Sequence, residues 1–463
     1  MSLFETLRQD WKPDHIAVQM GDETLTYGEL TDRVAHGRAW LAQQGVRPGA
    51  VVAVRLPKTP DFLVLMLAVV SAGAVFLPIN PRSTQAETNA IVQDSQPFLV
   101  IQEVPFVSHL RGVPAAICDP EAEAVRLTTS GTTGRPKGVP LSHRNILAMV
   151  QGLNTAWGWS ASDVLLHTLP VHHVHGLFVA QLGALLAGAT AIWHDGFTSD
   201  AVLRDLPRCT VFMGVPTFYH RLLAHPDLGS TDLSNMRLFT SGSAPLQASD
   251  HEAFSAVTGH AILERYGMTE IGIVLSNPLD GPRVPGRVGY PLPGMRARIV
   301  VPGLEEHVDD DVVGMLHIKG PSVFSGYHDR PEATAAALLD HGWMRTGDLA
   351  RRDETGSIQI VGRQDHLILT GGFNVYPMEV ETVLCEQPGV GEVCVYGQPD
   401  ADLGQVVCAA YVGDASESDL RTAARLALSG YKVPRHYVRL SALPRNPTGK
   451  VMRAALPPLP HTD

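Results

Sequence analysis

A chain of 463 residues exceeds one ordinary domain and suits a large lobe followed by a smaller one. Its 44% hydrophobic and 18% charged residues supply a sizeable core, which excludes a disordered chain or a long coiled coil. With 36 Lys and Arg against 47 Asp and Glu, the formal charge of −11 has the wrong sign for nucleic acid or an anionic membrane.

Cysteines at 118, 209, 385, 394 and 408 form no CxxC and leave an odd count, as in a reduced cytoplasmic protein. The opening residues contain no apolar signal core. The apolar run 62–77 is interrupted by Ser71 and Gly73 and is short for a membrane span. A soluble, cytoplasmic protein is expected.

In chain order, VVAVRL (51–56) reads as a buried strand. Thr59 and Pro60 then stand as N-cap and first-turn proline of an apolar helix running to about Gly73. AVFLP (74–78) is the next strand, and the unit repeats with helix 86–94 and FLVI (98–101). It repeats again with MRLF (236–239), helix 247–257 and AILE (261–264). This alternation predicts an α/β protein with substantially parallel sheets. Over 311–363 short strands and turn signals take over, with a hairpin turning at 353–356. From 364 a compact unit follows: helix 378–386, strands 391–396 and 405–412, helix 418–429 and a strand near 436–440. The predicted boundary lies just after Arg363. No internal repeat or low-complexity tract is present.

The stretch from Thr128 to Gly138, TTSGTTGRPKG, packs hydroxyls and glycines as a loop does when its N–H and O–H groups surround phosphate oxygens, and Lys137 adds a charge. Pro136 before the lysine departs from the GxxxxGK[ST] phosphate-binding loop.

Further on come ERYGMTE (264–270), RTGD (345–348), VGRQD (361–365), GGFNVYPMEVE (371–381) and RNPTGK (445–450). In this order and spacing, from LTYGEL (25–30) to Lys450, the chain resembles the adenylate-forming superfamily of acyl-CoA synthetases, which includes luciferases and the adenylation domains of peptide synthetases. The resemblance implies a large N-terminal domain (1–363) of α/β layers with a distorted β-barrel part, and a small mobile α+β C-terminal domain (364–463). It also implies ATP, Mg²⁺ and coenzyme A, and a small carboxylic acid as the fourth partner.

By the same resemblance Thr129, Ser130, Gly131, Thr132, Thr133, Gly134 and Lys137 would hold the β,γ-phosphates and the leaving pyrophosphate. Gly242, Ser243, Ala244 and Pro245 would form the adenine wall. Glu264, Tyr266, Gly267 and Met268 belong to the nucleotide site, with Tyr266 stacked on adenine. Thr269 would contact the α-phosphate, and Glu270 would ligate Mg²⁺, a hard cation suited to carboxylate and phosphate oxygens. Asp348 would accept from the ribose hydroxyls, with Arg363 in support. Lys450 would deliver an ammonium to the α-phosphate as charge builds there, stabilising the transition state more than the ground state. The C-terminal domain would then swing about Asp365 and present Gly371, Gly372 and Phe373 to the CoA thiol, with His173 lining its path to the acyl carbon.

Between His172 and Arg265 the chain is most similar to malonyl-CoA synthetases, which carry arginine just before the YGMTE tyrosine. A short dicarboxylate brings a second charge into a closed pocket, and Arg265 offers it a bidentate partner. His175 and Ser276 are further pocket candidates, then Arg283. The chain departs from the TxMNTS type at Ile271-Gly-Ile-Val-Leu-Ser276, where Val274 and Leu275 favour a less polar pocket, and Leu369 stands where many relatives carry lysine. Malonate therefore heads the expected acids. Methylmalonate, a monocarboxylate or an aryl acid, or transfer to a carrier protein, are the alternatives, and a non-catalytic nucleotide-binding relative is disfavoured by the presence of Thr269, Glu270, Asp348, Arg363 and Lys450. The sequence carries no signal for oligomeric state.

Overall fold

Apolar strands buried on both faces can form only where helices cover a parallel sheet from both sides, and the chain builds two such sheets. In the computed structural model, residues 2–104, 113–130, 136–400, 402–445 and 451–458 are described. They fall into two units, Met1–Ala297 with His317–Arg345, and Arg298–Leu316 with Thr346–Asp463. The second unit thus begins, in sequence, before residue 364.

In the first unit, six mutually parallel strands lie in the order Leu263–Met268, Leu238–Ser241, Val211–Gly214, Val164–His167, Thr190–Trp193, Ile16–Met20. Antiparallel strands extend both edges, Gly272–Ser276 beside the first and Glu23–Thr26 beside the last. The second sheet runs Leu99–Ile101, Val51–Val54, Val75–Pro78, Glu123–Ser130, Pro136–Ser142, parallel except for its last pair. Helix Pro60–Ser71 is buried on all sides except at Asp61 in its first turn, as the apolar run that follows Asp61 requires. Pro60 sits in its first turn, but Thr59 makes no side-chain cap and its hydroxyl is buried without a partner, against expectation.

Edge-to-face rings of Phe212, Tyr219, Phe239 and Phe254 fix the centre of the larger sheet. Its parallel strands end on one edge, at His167, Trp193, Gly214 and Ser241, where an open α/β sheet leaves a crevice.

The second unit holds most of a sheet ordered Arg296–Val300, Gly314–Lys319, Trp343–Arg352, Ile358–Arg363, whose last two strands form the predicted hairpin. Beyond it, Phe373–Val375, Ile368–Thr370, Gly404–Gly413 and Val390–Asp400 form another sheet, with His436–Leu440 parallel to Gly404–Gly413. Helices Pro377–Cys385 and Glu417–Ala427 cover it through Val380, Leu384, Leu420 and Ala424. Among the described residues no sheet closes on itself, so the expected barrel part is represented by open sheets. No helix of the described residues is long and apolar enough to cross a membrane.

Candidate active site

The hydroxyl- and glycine-rich stretch is less of a loop than its composition predicts. Strands Glu123–Ser130 and Pro136–Ser142 pair up to it, with Thr129 opposite Lys137 and Ser130 opposite Pro136. Gly131, Thr132, Thr133 and Gly134 lie outside the described residues, as does Lys450. The base of the Lys450 segment is described: Arg445 bridges Val451, Met452 N donates to Pro444 O at 2.8 Å, and Arg445 pairs with Glu392 at 2.6 Å.

ERYGMTE forms the first strand and turn of a hairpin, Leu263–Met268 against Gly272–Ser276. A Cβ on Gly267 would collide with the carbonyl of Gly272, so the strands can cross this closely only at glycine. Thr269 and Glu270 sit in the turn. Glu270 is buried, and its Oε1 accepts from the Tyr327 hydroxyl at 2.8 Å. Buried oxygen donors of this kind fit Mg²⁺. The described residues include no cluster of three or more His, Cys, Asp or Glu able to hold a metal.

Tyr327 is the residue that sequence reasoning missed. Its motif, Gly326-Tyr-His-Asp-Arg-Pro331, reads only as a turn before helix Pro331–Ala337. Yet Lys137 Nζ lies 5.3 Å from its ring centroid.

After strand Leu238–Ser241 the chain turns through Gly242 into Ser243, Ala244 and Pro245, all three exposed, with Ser243 at φ 72°. Glu264 faces the neighbouring loop and accepts from Gly286 N at 2.7 Å; burial pushes its carboxyl up to about 7. Tyr266 and Met268 lie opposite Leu275 and Gly272 on the hairpin and are half-buried.

Arg265 points the other way. Its side chain is buried against Gly242, where a Cβ would overlap the guanidinium, and its Nε and Nη2 have no hydrogen-bond partner. No acidic side chain of the described residues pairs with it. Burial lowers its pKa to about 9.

His175 opens the π-helix His175–Leu182. Burial, and next the charge of Arg265, push its imidazole well below the usual range. His175 Nδ1 is 3.5 Å from Ser243 Oγ and its Nε2 has no partner. Beside them the buried Tyr219 donates to Thr240 O at 2.7 Å. A charged guanidinium with unpartnered N–H groups, beside a neutral imidazole whose Nε2 is also unpartnered, can receive a small anion.

Ser276 lies opposite Arg265 on the hairpin. Its hydroxyl accepts from Trp157 Nε1 at 2.9 Å and donates to Asn277 O at 2.8 Å, so its one proton is committed. Arg283 likewise donates to Ala261 O and Leu279 O. His173 lies beside His172, ring centroids 4.4 Å apart, and burial lowers its pKa.

In the second unit Asp348 and Arg363 are cross-strand partners, Nε to Oδ1 3.3 Å, and Arg363 also reaches Asp365 at 3.5 Å. Asp365 occupies the 3₁₀ turn Gln364–His366. Gly371 and Gly372, at φ 54° and 81°, form the two-residue turn joining Ile368–Thr370 to Phe373–Val375, the backbone a twisted hairpin demands. Phe373 is 55% exposed and stacks on Tyr431 at 4.6 Å.

Comparison with known proteins gives the chain's relatives. The AMP-binding enzyme model matches residues 7–116 and 103–328, and the AMP-binding enzyme C-terminal domain model matches 379–450. The mitochondrial malonate–CoA ligase ACSF3 of Mus musculus is 35% identical, over 93% of this chain and 86% of its own length. A feruloyl-CoA synthase of Amycolatopsis sp is 34% identical over 96% of each chain. The structure of ATP-bound MatB from Rhodopseudomonas palustris superposes with a TM-score of 0.92 at 38% identity, covering 97% of each chain.

Proposed function

The chain belongs to the AMP-binding enzyme family, and we propose that it is an AMP-forming acid–CoA ligase whose acid is malonate. The observation that carries the choice of acid is Arg265: a buried guanidinium with Nε and Nη2 unpartnered, resting on a glycine. A buried charge without a counter-ion costs several kcal/mol, so the arrangement favours a ligand that brings a second carboxylate. The similarity to malonate–CoA ligases points the same way.

In the first half-reaction one malonate carboxylate attacks the α-phosphorus of ATP, forming an acyl–phosphate bond and breaking the bond to pyrophosphate. Arg265 holds the distal carboxylate, and neutral His175 beside it offers an N–H without adding charge. Thr129, Ser130, Lys137 and the residues between them hold the phosphates, Thr269 the α-phosphate, and Lys450 offsets its developing charge. Glu270 would bind Mg²⁺, which neutralises phosphate charge when bound. Gly242 to Pro245 and Tyr266 frame adenine, and Asp348 with Arg363 takes the ribose.

In the second half-reaction the CoA sulfur attacks the acyl carbon and AMP leaves. His173 lines the thiol path, and the turn at Gly371 and Gly372 with Phe373 guides pantetheine. Asp365 is the pivot on which the C-terminal residues alternate between the two steps.

The test is pyrophosphate release over a panel of acids, with and without CoA. Malonate should give the highest kcat/KM, with thioester formed only when CoA is present. Highest activity on ferulate or butyrate would reject the acid assignment, and no acid-dependent release at all would reject the ligase reading.

A further inference from the structure

Residues 324–328 join two parts of the phosphate site that lie far apart in sequence. Phe324 N donates to Glu270 O at 2.9 Å, and His328 N donates to Gly138 O at 3.0 Å. The strap is therefore fastened at one end to the Thr269-Glu270 turn and at the other to the strand bearing Lys137. Tyr327, between these anchors, touches both side chains: its hydroxyl donates to Glu270 Oε1 at 2.8 Å and its ring lies under Lys137 Nζ at 5.3 Å. The ring has little freedom. Phe324 meets it edge-on at 4.9 Å, and Tyr327 N donates to Thr334 Oγ1 at 2.9 Å. Gly326, at φ 137°, lies so close to Thr334 that a Cβ would collide with it.

We propose that Tyr327 is a positioning residue that orients the Glu270 carboxylate for the metal and the Lys137 ammonium for the phosphates, so that both are set before ATP arrives. The inference rests on the roles given to Glu270 and Lys137 above. Its physics is separable into two parts. A phenol hydrogen bond restricts the rotation of a carboxylate, and hydrogen bonds to charged groups are among the stronger ones. The face of an aromatic ring attracts an ammonium through its quadrupole, which fixes the far end of a flexible lysine. Preorganised charges need no rearrangement as the reaction proceeds.

Two substitutions divide the effects. Tyr327→Phe keeps the ring and removes the hydroxyl; Tyr327→Leu removes both. Mn²⁺ titrations of the protein–ATP complex, read by electron paramagnetic resonance, report the metal. Calorimetry reports metal-free ATP and AMP.

Tyr327→Phe should raise the Mn²⁺ concentration at half-saturation roughly tenfold while leaving metal-free ATP and AMP binding within about twofold. Tyr327→Leu should in addition weaken metal-free ATP binding about threefold or more, with AMP still bound. A Mn²⁺ titration of Tyr327→Phe identical to wild type would overturn the proposal. So would a parallel loss of AMP, which would show that the nucleotide site had collapsed. Should Tyr327→Leu fail to fold, Tyr327→Phe decides the Glu270 part and Tyr327→Met, which removes the ring but keeps bulk, decides the Lys137 part, unchanged metal-free ATP binding overturning it.

Glu270→Gln separates this inference from the reading beneath it. If Glu270→Gln leaves Mn²⁺ binding unchanged, the metal role of Glu270 is wrong. If Glu270→Gln weakens it and Tyr327→Phe does not, only the positioning role falls.

Discussion

The guanidinium of Arg265 occupies the space that a side chain at residue 242 would need, so Gly242 and Arg265 form a matched pair. The glycine lies one residue past strand Leu238–Ser241, and the arginine lies on the neighbouring parallel strand, whose Leu263 and Glu264 pair with Thr240 and Ser241. The turn proposed for the adenine wall is thus also packed against Arg265. Its backbone is the floor on which the guanidinium proposed to bind the acid rests.

The first prediction concerns pH. Burial lowers Arg265 to about 9. The group is charged below that value and neutral above it, so its hold on a distal carboxylate is present at neutral pH and lost as pH rises through about 9. A bound carboxylate favours the charged form, so the loss belongs to the free enzyme and appears in kcat/KM. Pyrophosphate release without CoA avoids interference from the thiol. Malonate kcat/KM should fall above about pH 9 while that for butyrate changes less; equal profiles for the two acids would contradict the pairing.

Lys450 belongs to the first half-reaction alone in this account. Lys450→Ala should abolish acyl-adenylate formation, by at least about a hundredfold if it contributes like other preorganised donors. Thioester formation from supplied malonyl-adenylate and CoA should be nearly intact. Single-turnover assays of each half-reaction decide, and equal losses in both would remove the assignment to one step.

Asp365→Pro fixes φ at the proposed pivot. The residue lies in the 3₁₀ turn Gln364–His366, so the substitution restricts the turn and also removes the carboxylate that faces Arg363, which Asp365→Ala removes alone and so controls for. Adenylation should survive better than thioester formation. If the two rates fall together, alternation about residue 365 is not supported.

Much of this was legible in the sequence because the relevant signals are local. Runs such as 51–54 and 75–78 are short, apolar and bounded by turn residues, and they became parallel strands. Gly371-Gly372 stood out only by resemblance, as a segment facing CoA; its role as a hairpin tip with two positive φ values, a backbone glycine adopts readily, emerged from the structure.

What escaped depended on partners distant in the chain. The engagement of the Ser276 hydroxyl could not be read locally, because the Trp157 that donates to it is 119 residues away. Thr59 has the residue type and backbone of an N-cap but not the hydrogen bond. Strands Glu123–Ser130 and Pro136–Ser142 were hidden because threonine and glycine near their tips read as loop, although the two pair along their lengths and the first joins Val75–Pro78 in the sheet. Tyr327 lies 57 residues from Glu270, and nothing in its own neighbourhood announces that contact.

The most direct test of the central claim is a comparison of kcat/KM for malonate and butyrate in the wild-type protein and in Arg265→Leu. The account predicts that wild type prefers malonate. In the variant, malonate should lose about 3–5 kcal/mol of transition-state stabilisation, roughly two to three and a half decades, because a buried charge is left without its partner. Butyrate should lose little or gain, since the pocket becomes apolar. A wild-type preference for butyrate, or a parallel fall for both acids in Arg265→Leu, would contradict the claim that Arg265 selects a dicarboxylate.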